Sequence, residues 1–286
     1  MALNTTTGAG LLVPESVGQL IIEPLKDAST AMAVATNVTT QSGSFRIPVV
    51  VADAAGGWYP EGGDISLTDA EISEINVVPT KLAVLSKISN ELANDSSPAA
   101  AQIIGQGMAR DIARKIDAAF FANTTQYGPS GLLSLTDHQT VDGGSLTDLD
   151  PFAEAISKAE GVGSTVTAFV ASANDALHLS QLKAFDGATT SNQPLLSSTG
   201  DATAPTKRQI LGVPLHVVPD GVVADGVIWA LDQSKTFVVM RQDVQLEVDR
   251  SVYFASDSLG IRAVVRVGYG FPHQEAVVKI TWGESS

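Results

Sequence analysis

The sequence predicts an α+β protein, and three observations carry that expectation. An extended acidic stretch leads into a long amphipathic helix between Trp58 and Asn123; short helix and strand patterns alternate beyond residue 131; two well-alternating strand segments follow between residues 236 and 267. The first observation says most about function. The extended half has no apolar face thick enough to build its own core, and the helix is long for an ordinary domain. Together they predict a protein that finishes its packing on neighbouring copies of itself.

At 286 residues and 44% hydrophobic, the chain is long enough for one large or two modest cores. Its formal net charge is -14, which disfavours a reader of phosphate backbones. It has no cysteine, which excludes disulfides, thiolate metal sites and thiol nucleophiles. The start, MALNTTTGAGLLVPES, lacks a basic segment and a continuous apolar run, so no signal peptide is expected. No stretch approaches the roughly 20 apolar residues that cross a bilayer. A cytosolic origin follows as an expectation, and the Asn-x-Thr/Ser matches at Asn4, Asn37, Asn94 and Asn123 read as accidental.

Taken in order, residues 14–30 carry Val17, Leu20, Ile21 and Leu25 at helical spacing, with Pro24 limiting or kinking the helix. Residues 31–43 are small and polar, as in an arm or linker. Residues 44–52 (SFRIPVVVA) and 71–88 (EISEINVVPTKLAVLSKI) are β-like. They flank a tip containing Gly56, Gly57, Gly62 and Gly63, which predicts a long hairpin. Such a hairpin, with an arm that reaches about 45 Å from Ser44 to Trp58, is not stable in water alone.

Ser96 or Ser97 is a good N-cap and Pro98 suits a first helical turn. The helix is expected to run to about Asn123, close to 40 Å for about 25 residues. Ile104, Met108, Ile112, Ile116 and Phe120 form its core face, widened by Ile103 and Ala113. Arg110, Asp111, Arg114, Lys115 and Asp117 are expected on the opposite face. Gly105 and Gly107 each weaken the helix by about 1 kcal/mol relative to Ala, a cost that a close backbone approach there would justify.

Beyond Gly131, helices are expected at Asp150 to Glu160 and from about Asn174 to Ala184. Strands are expected at Thr165 to Ala171, Val213 to Val218 and Val227 to Leu231, with a mobile Ser/Thr/Gly/Pro-rich loop over 186–208. This is a second, α/β lobe. Residues 236–249 and 261–267 alternate, and if they pair, acids of the first strand face Arg262 and Arg266 of the second. The last strand is expected at Ala276 to Trp282.

No catalytic set stands out. His138, His178, His216 and His273 have no metal-ligand spacing, and they read as ordinary surface or core histidines. Gly128-Pro129-Ser130-Gly131 lacks the spacing of a nucleophile elbow, and Gly161 to Thr165 lacks the lysine of a phosphate loop; both read as turns. Glu61, Asp64 and Asp69 do not match a calcium loop and read as solvated carboxylates.

The order of these pieces resembles the major capsid protein family of tailed bacteriophages, with the Hong Kong 97-type fold. Trp58-Tyr59-Pro60-Glu61-Gly62 through Ile65 looks like the tip of the family's extended loop. Val78-Pro79-Thr80-Lys81-Leu82-Ala83 through Asp95-Ser96 looks like the return strand and the entry to the spine helix. Ile112 to Phe121, with Gly128-Pro129-Ser130-Gly131-Leu132-Leu133, looks like the end of that helix and the crossing to the axial domain. Gly212-Val213-Pro214-Leu215 and Arg262 with Arg266 add weaker matches.

The resemblance implies an N-terminal arm (1–43), an extended loop (44–82), a peripheral domain with the spine helix (83–130 and 236–271) and an axial domain (131–235 and 272–286). It implies a non-enzymatic virion protein that needs no cofactor or metal. It further implies pentamers and hexamers that close into an icosahedral shell around double-stranded DNA without sequence-specific binding, with portal and decoration proteins as candidate partners and the use of a decoration protein left open. The arm starts near Met1, which implies a separate scaffolding protein or none. Between Ile47 and Thr80 there is no lysine or arginine, which predicts a shell without covalent links through this loop. Trp58, Tyr59, Glu61 and Asp64 are the expected loop contacts. Arg110, Arg114 and Lys115, with Lys207 and Arg208, are candidate landing residues for an acidic loop. An encapsulin-type shell and an α/β enzyme or binding module are the alternatives.

Overall fold

Alternating apolar positions at 237–249 and 258–270 pair to form a long antiparallel ladder, and the other described elements are laid around it. The computed structural model describes residues 29–52, 57–62, 64, 69, 71–90, 99–185, 190–196, 208–249 and 251–283. The helix expected over 14–30, Ser96, Ser97, Pro98 and Lys207 lie outside the described residues, as do the side chains of Ile103 and Ile104.

A one-turn helix α1 (Thr30–Val34) opens the described chain, capped by the Ser29 side chain. It is followed by β1 (Thr36–Thr40), β2 (Phe45–Ala52), β3 (Glu71–Val77) and β4 (Thr80–Ser89). The stretch read as one return strand over 71–88 is therefore two, parted at Val78 and Pro79. The physical reason is that proline cannot donate to a ladder and marks the point where the chain changes sheets. Helix α2 (Ala99–Phe121) is the long helix. Then come β5 (Gln139–Asp142), α3 (Asp150–Gly161), β6 (Ala168–Ser172) and α4 (Ala173–Gln181). Next are β7 (Lys183–Phe185), β8 (Thr190–Pro194), β9 (Gln209–Ile210), β10 (Val213–Val218) and β11 (Val227–Leu231). The chain ends with β12 (Phe237–Asp249), β13 (Ser258–Gly270) and β14 (Val278–Thr281).

The four main strands β1-β12-β13-β4 form one sheet, in which β1 runs parallel to β12 and the other pairs are antiparallel. Within it Glu247 lies opposite Arg262 and the two side chains form an ion pair, whereas Arg266 lies opposite Arg241 rather than an acid. A β-bulge between Arg241 and Gln245 shifts the register and separates the two outcomes. Residues 31–43, expected as an arm or linker, include two regular elements. A single turn is too short to leave a periodic pattern, and β1 gains its conformation from β12 rather than from its own Thr-rich sequence.

The second sheet has the order β5-β14-β11-β6-β10-β9. Its central strand β6 is buried on both faces, and alternate residues enter different cores. Phe169 and Ala171 meet Phe152 and Ala155 of α3 and Leu179 of α4. Ala168 and Val170 face the core that holds α1 and α2. Ser172 caps α4 by accepting from the Asp175 amide at 3.1 Å. Helix α4 stops at Gln181, earlier than Ala184, because residues 183–185 pair with β8; 190–194, expected within a loop, are the other half of that small hairpin.

Candidate assembly surfaces

Helix α2 is positioned by one dense face. Met108, Ile112, Ile116 and Phe120 are buried as expected and pack under β13 and β12 against Ala263, Val265, Val267 and Met240. Phe120 meets Phe121 edge-on at 5.0 Å between ring centroids and Tyr269 at 5.1 Å. The Tyr269 hydroxyl donates to the Ile116 carbonyl at 2.8 Å, tying helix to sheet. Burial, and then the nearby Asp117 charge, push the Tyr269 phenol far above its usual range, so it stays a donor. At the helix end, Gly131 donates to the Asn123 carbonyl at 2.9 Å. A Cβ on Gly131 would meet the carbonyl oxygens of Ala119, Phe120 and Ala122, so the crossing toward β5 depends on glycine there. Gly107 has no such neighbour: a Cβ would meet only the Arg110 guanidinium at 3.9 Å. Among the described residues no backbone comes close to Gly107.

Asp117 overturns another expectation. It lies inside, 2% exposed, not on the face with Arg110 and Arg114. Its carboxylate accepts from the Ser29 hydroxyl at 2.6 Å, the Thr30 amide at 3.0 Å and the Ala31 amide at 2.9 Å. It thus satisfies the free N–H groups of α1 from another helix. Burial raises its pKa above the usual carboxylate value; the hydrogen bonds from Ser29, Ala31 and Thr30 oppose the shift. A signal for this was in the sequence: Ala109, Ala113, Asp117 and Phe121 repeat every four residues and are all buried, a second column beside the Ile column. The acid interrupts an otherwise apolar line.

Arg110, Arg114 and Lys115 are exposed on the outer side of α2, as expected, with Asp111 among them. Arg208 is half-buried at the start of β9. The β2–β3 hairpin leaves from the other face of the four-stranded sheet. Its foot is anchored where Ile47 and Val77 pack on Val239, in space left open by Gly268 and Gly270 of β13. Beyond the foot the described residues of the hairpin are bare. Val50 and Ile72 face each other across it at 48% and 68% exposure, and Trp58 is fully exposed. Tyr59, Glu61, Asp64, Asp69 and Glu71 are exposed too, and Arg46 pairs with Glu74 at 3.1 Å. The four-stranded sheet therefore separates the hairpin foot from Arg110 and Arg114 within one chain.

Register also brings together a set of cations that the sequence did not reveal. Lys81 lies opposite Arg266, and Arg266 opposite Arg241, on three adjacent strands. They stand on the face away from α2, since the intervening Ala263, Val265 and Val267 point into the helix core. Lys81 is exposed, and Arg266 and Arg241 are half-buried. Alternation alone places Arg266 on a face; only the pairing of residues about 180 positions apart places Lys81 beside it.

The histidines lie apart. His138 stacks near Trp229, His178 near Trp282, His216 is on β10 and His273 precedes a 3-10 turn. Among the described residues no group of three His, Cys, Asp or Glu side chains is placed to hold a metal ion, and no described helix is long and apolar enough to cross a membrane.

A long helix backing a four-stranded sheet, a bare hairpin springing from the other face and a separate α/β sheet define a Hong Kong 97-type shell protein. The profile of the phage capsid family matches residues 9–282, and the chain belongs to that family. It is a structural protein of the capsid class. Its fold is similar to the capsid of an empty GTA particle (TM-score 0.72, 18% identity), covering 99% of this chain and 95% of that one. It is similar also to proteins of Mycobacterium phage Bobi (TM-score 0.70, 16% identity, 90% of this chain and 91% of that one) and Microbacterium phage Oxtober96 (0.68, 20%, 89% and 91%). No curated protein sequence matches this chain.

Proposed function

We propose that this protein is the major capsid protein of a tailed phage, and that it self-assembles as pentamers and hexamers into an icosahedral shell around double-stranded DNA. The observation that carries this is the bare hairpin on a chain of the phage capsid family. Val50, Ile72 and Trp58 leave apolar surface in water that no other described part of the chain covers. A shell supplies that cover from the next copy. Trp58, Tyr59, Glu61 and Asp64 are the loop residues that reach the neighbour, and Arg110, Arg114 and Lys115 form a basic surface on the helix for contacts between copies. The segregation of strands into two sheets supports a peripheral domain (83–130 and 236–271) and an axial domain (131–235 and 272–286), with 1–43 as arm and 44–82 as extended loop. The net charge of -14 suits a container that must not adhere to its DNA. Negative-stain microscopy of the purified protein tests the reading. Closed or partial shells with five- and six-fold units are expected; a protein that stays monomeric at every concentration and salt would overturn it.

A further inference from the structure

We infer that Asp175, His178 and Trp282 enclose a binding site for a single water molecule, which joins α4 to the end of β14. The inference goes beyond the shell reading and does not rest on it. Asp175 Oδ2, His178 Nδ1 and Trp282 Nε1 are shut off from solvent, and none has a hydrogen-bond partner among the described residues. Buried polar atoms are nearly always paired, so three orphans side by side point to a shared ligand.

The backbone brings the three residues together. Asp175 and His178 are three positions apart on α4 and share a face. The Gly226 amide donates to Asp175 Oδ1 at 3.1 Å, and the Gly226 carbonyl accepts from the Trp282 amide at 2.8 Å. The Trp282 indole in turn lies on the His178 ring, with centroids 4.5 Å apart and planes tilted by 42°. Gly226 permits this approach. Its φ is +80°, and a Cβ there would meet the Trp282 carbonyl oxygen at 2.5 Å.

The chemistry of the three atoms selects the ligand. An indole N–H only donates, so a metal cation or an ammonium group, which has nothing to accept with, does not fit. Burial first, and the nearby Asp225 charge as well, hold the Asp175 carboxyl above the usual carboxylate value, against hydrogen bonds from Gly226 and Ser172. Two carboxyl groups so placed also repel an anion. A neutral molecule that both accepts and donates remains. Water accepts from Trp282 Nε1, donates to Asp175 Oδ2 and bonds His178 Nδ1 in either tautomer of the ring. Three bonds are the usual complement of a buried water.

The test begins with a map of the full chain, by crystallography or electron microscopy, at a resolution that shows ordered waters. One peak at about 2.7–3.2 Å from all three atoms is expected. No peak, or direct pairing of the three atoms with protein groups, overturns the inference. A peak at about 2.4 Å from Asp175 Oδ2 also overturns it and assigns a cation. Magnetic relaxation dispersion of water oxygen, which counts long-lived internal waters, should fall by one water in Trp282→Phe and in His178→Phe, with folding followed by circular dichroism. An unchanged count in both folded variants overturns the inference. Amide hydrogen exchange at Trp282 and Gly283 should quicken about tenfold in His178→Phe, although an aromatic ring still faces the indole. Unchanged or slower exchange is the result for an orphan atom whose removal costs nothing, and it overturns the inference too. If neither variant folds, the map decides. Every outcome leaves the shell reading untouched, because that reading is tested by assembly.

Discussion

The Ser29 hydroxyl donates to the Asp117 carboxylate across 88 positions of sequence, and this bond, with those from Thr30 and Ala31, ties the start of α1 to the last two turns of the long helix. Asp117→Ala leaves three buried or half-buried donors without an acceptor. A loss of about 2–4 kcal/mol in urea unfolding is expected, against about 1 kcal/mol for Ser29→Ala, where the two amides keep their partner. Limited proteolysis should cut near residue 30 faster in Asp117→Ala; equal cleavage would show that α1 is held by other contacts.

The same carboxylate sets a pH dependence. Its folded pKa is raised by burial above its unfolded value, so folding favours the protonated form. The contribution is fully present below the unfolded pKa and is lost as pH rises through the raised folded one. Wild-type stability minus that of Asp117→Asn should therefore increase as pH falls from 7 toward 4, at no more than about 1.4 kcal/mol per pH unit. A difference that stays flat or shrinks over this range would refute the assignment.

Two glycines of the helix region should respond in opposite directions. Gly107→Ala adds a methyl into open space within α2 and should stabilise by up to about 1 kcal/mol. Gly131→Ala drives a methyl into three helix carbonyls and should destabilise by about 2 kcal/mol or more, or prevent folding. Thermal melts of the two variants check both signs.

Phe120 lies fully buried among Phe121, Tyr269 and Phe271. Phe120→Ala should cost about 3–5 kcal/mol in chemical denaturation, and Phe120→Leu markedly less. Equal losses would mean that the site does not discriminate by volume.

Assembled particles boiled in denaturant should run as single subunits on a gel, because the extended loop holds no lysine between Ile47 and Thr80. A ladder of linked subunits would refute this.

The core column of α2 and the pairing of β12 with β13 were legible because their apolar residues keep a strict period of four or two. The one-turn helix α1 was not, since five residues leave no period and its cap is Asp117, far away in sequence. Asp117 was read as solvent-facing because charge alone assigned it, although Ala113 and Phe121 on either side mark an inward column. The hairpin was visible, but its return strand appeared continuous; the break at Pro79 depends on which sheet each half joins. The row of Lys81, Arg266 and Arg241 follows from register between distant strands, which no local pattern encodes.

Strand β1 lies beside β12, pairing Thr36 with Phe237, and β4 lies beside β13, pairing Thr80 with Val267. Both early strands therefore wait for partners synthesised about 200 residues later. Closing such long loops before any contact rewards them makes folding slow. On the ribosome, residues 168–231 can form the four strands β11-β6-β10-β9 of the second sheet while α1, the hairpin and the long helix still lack their scaffold. The hairpin gains its anchorage only when Gly268 and Gly270 emerge, so the subunit becomes competent to meet its neighbours in the last moments of its own synthesis.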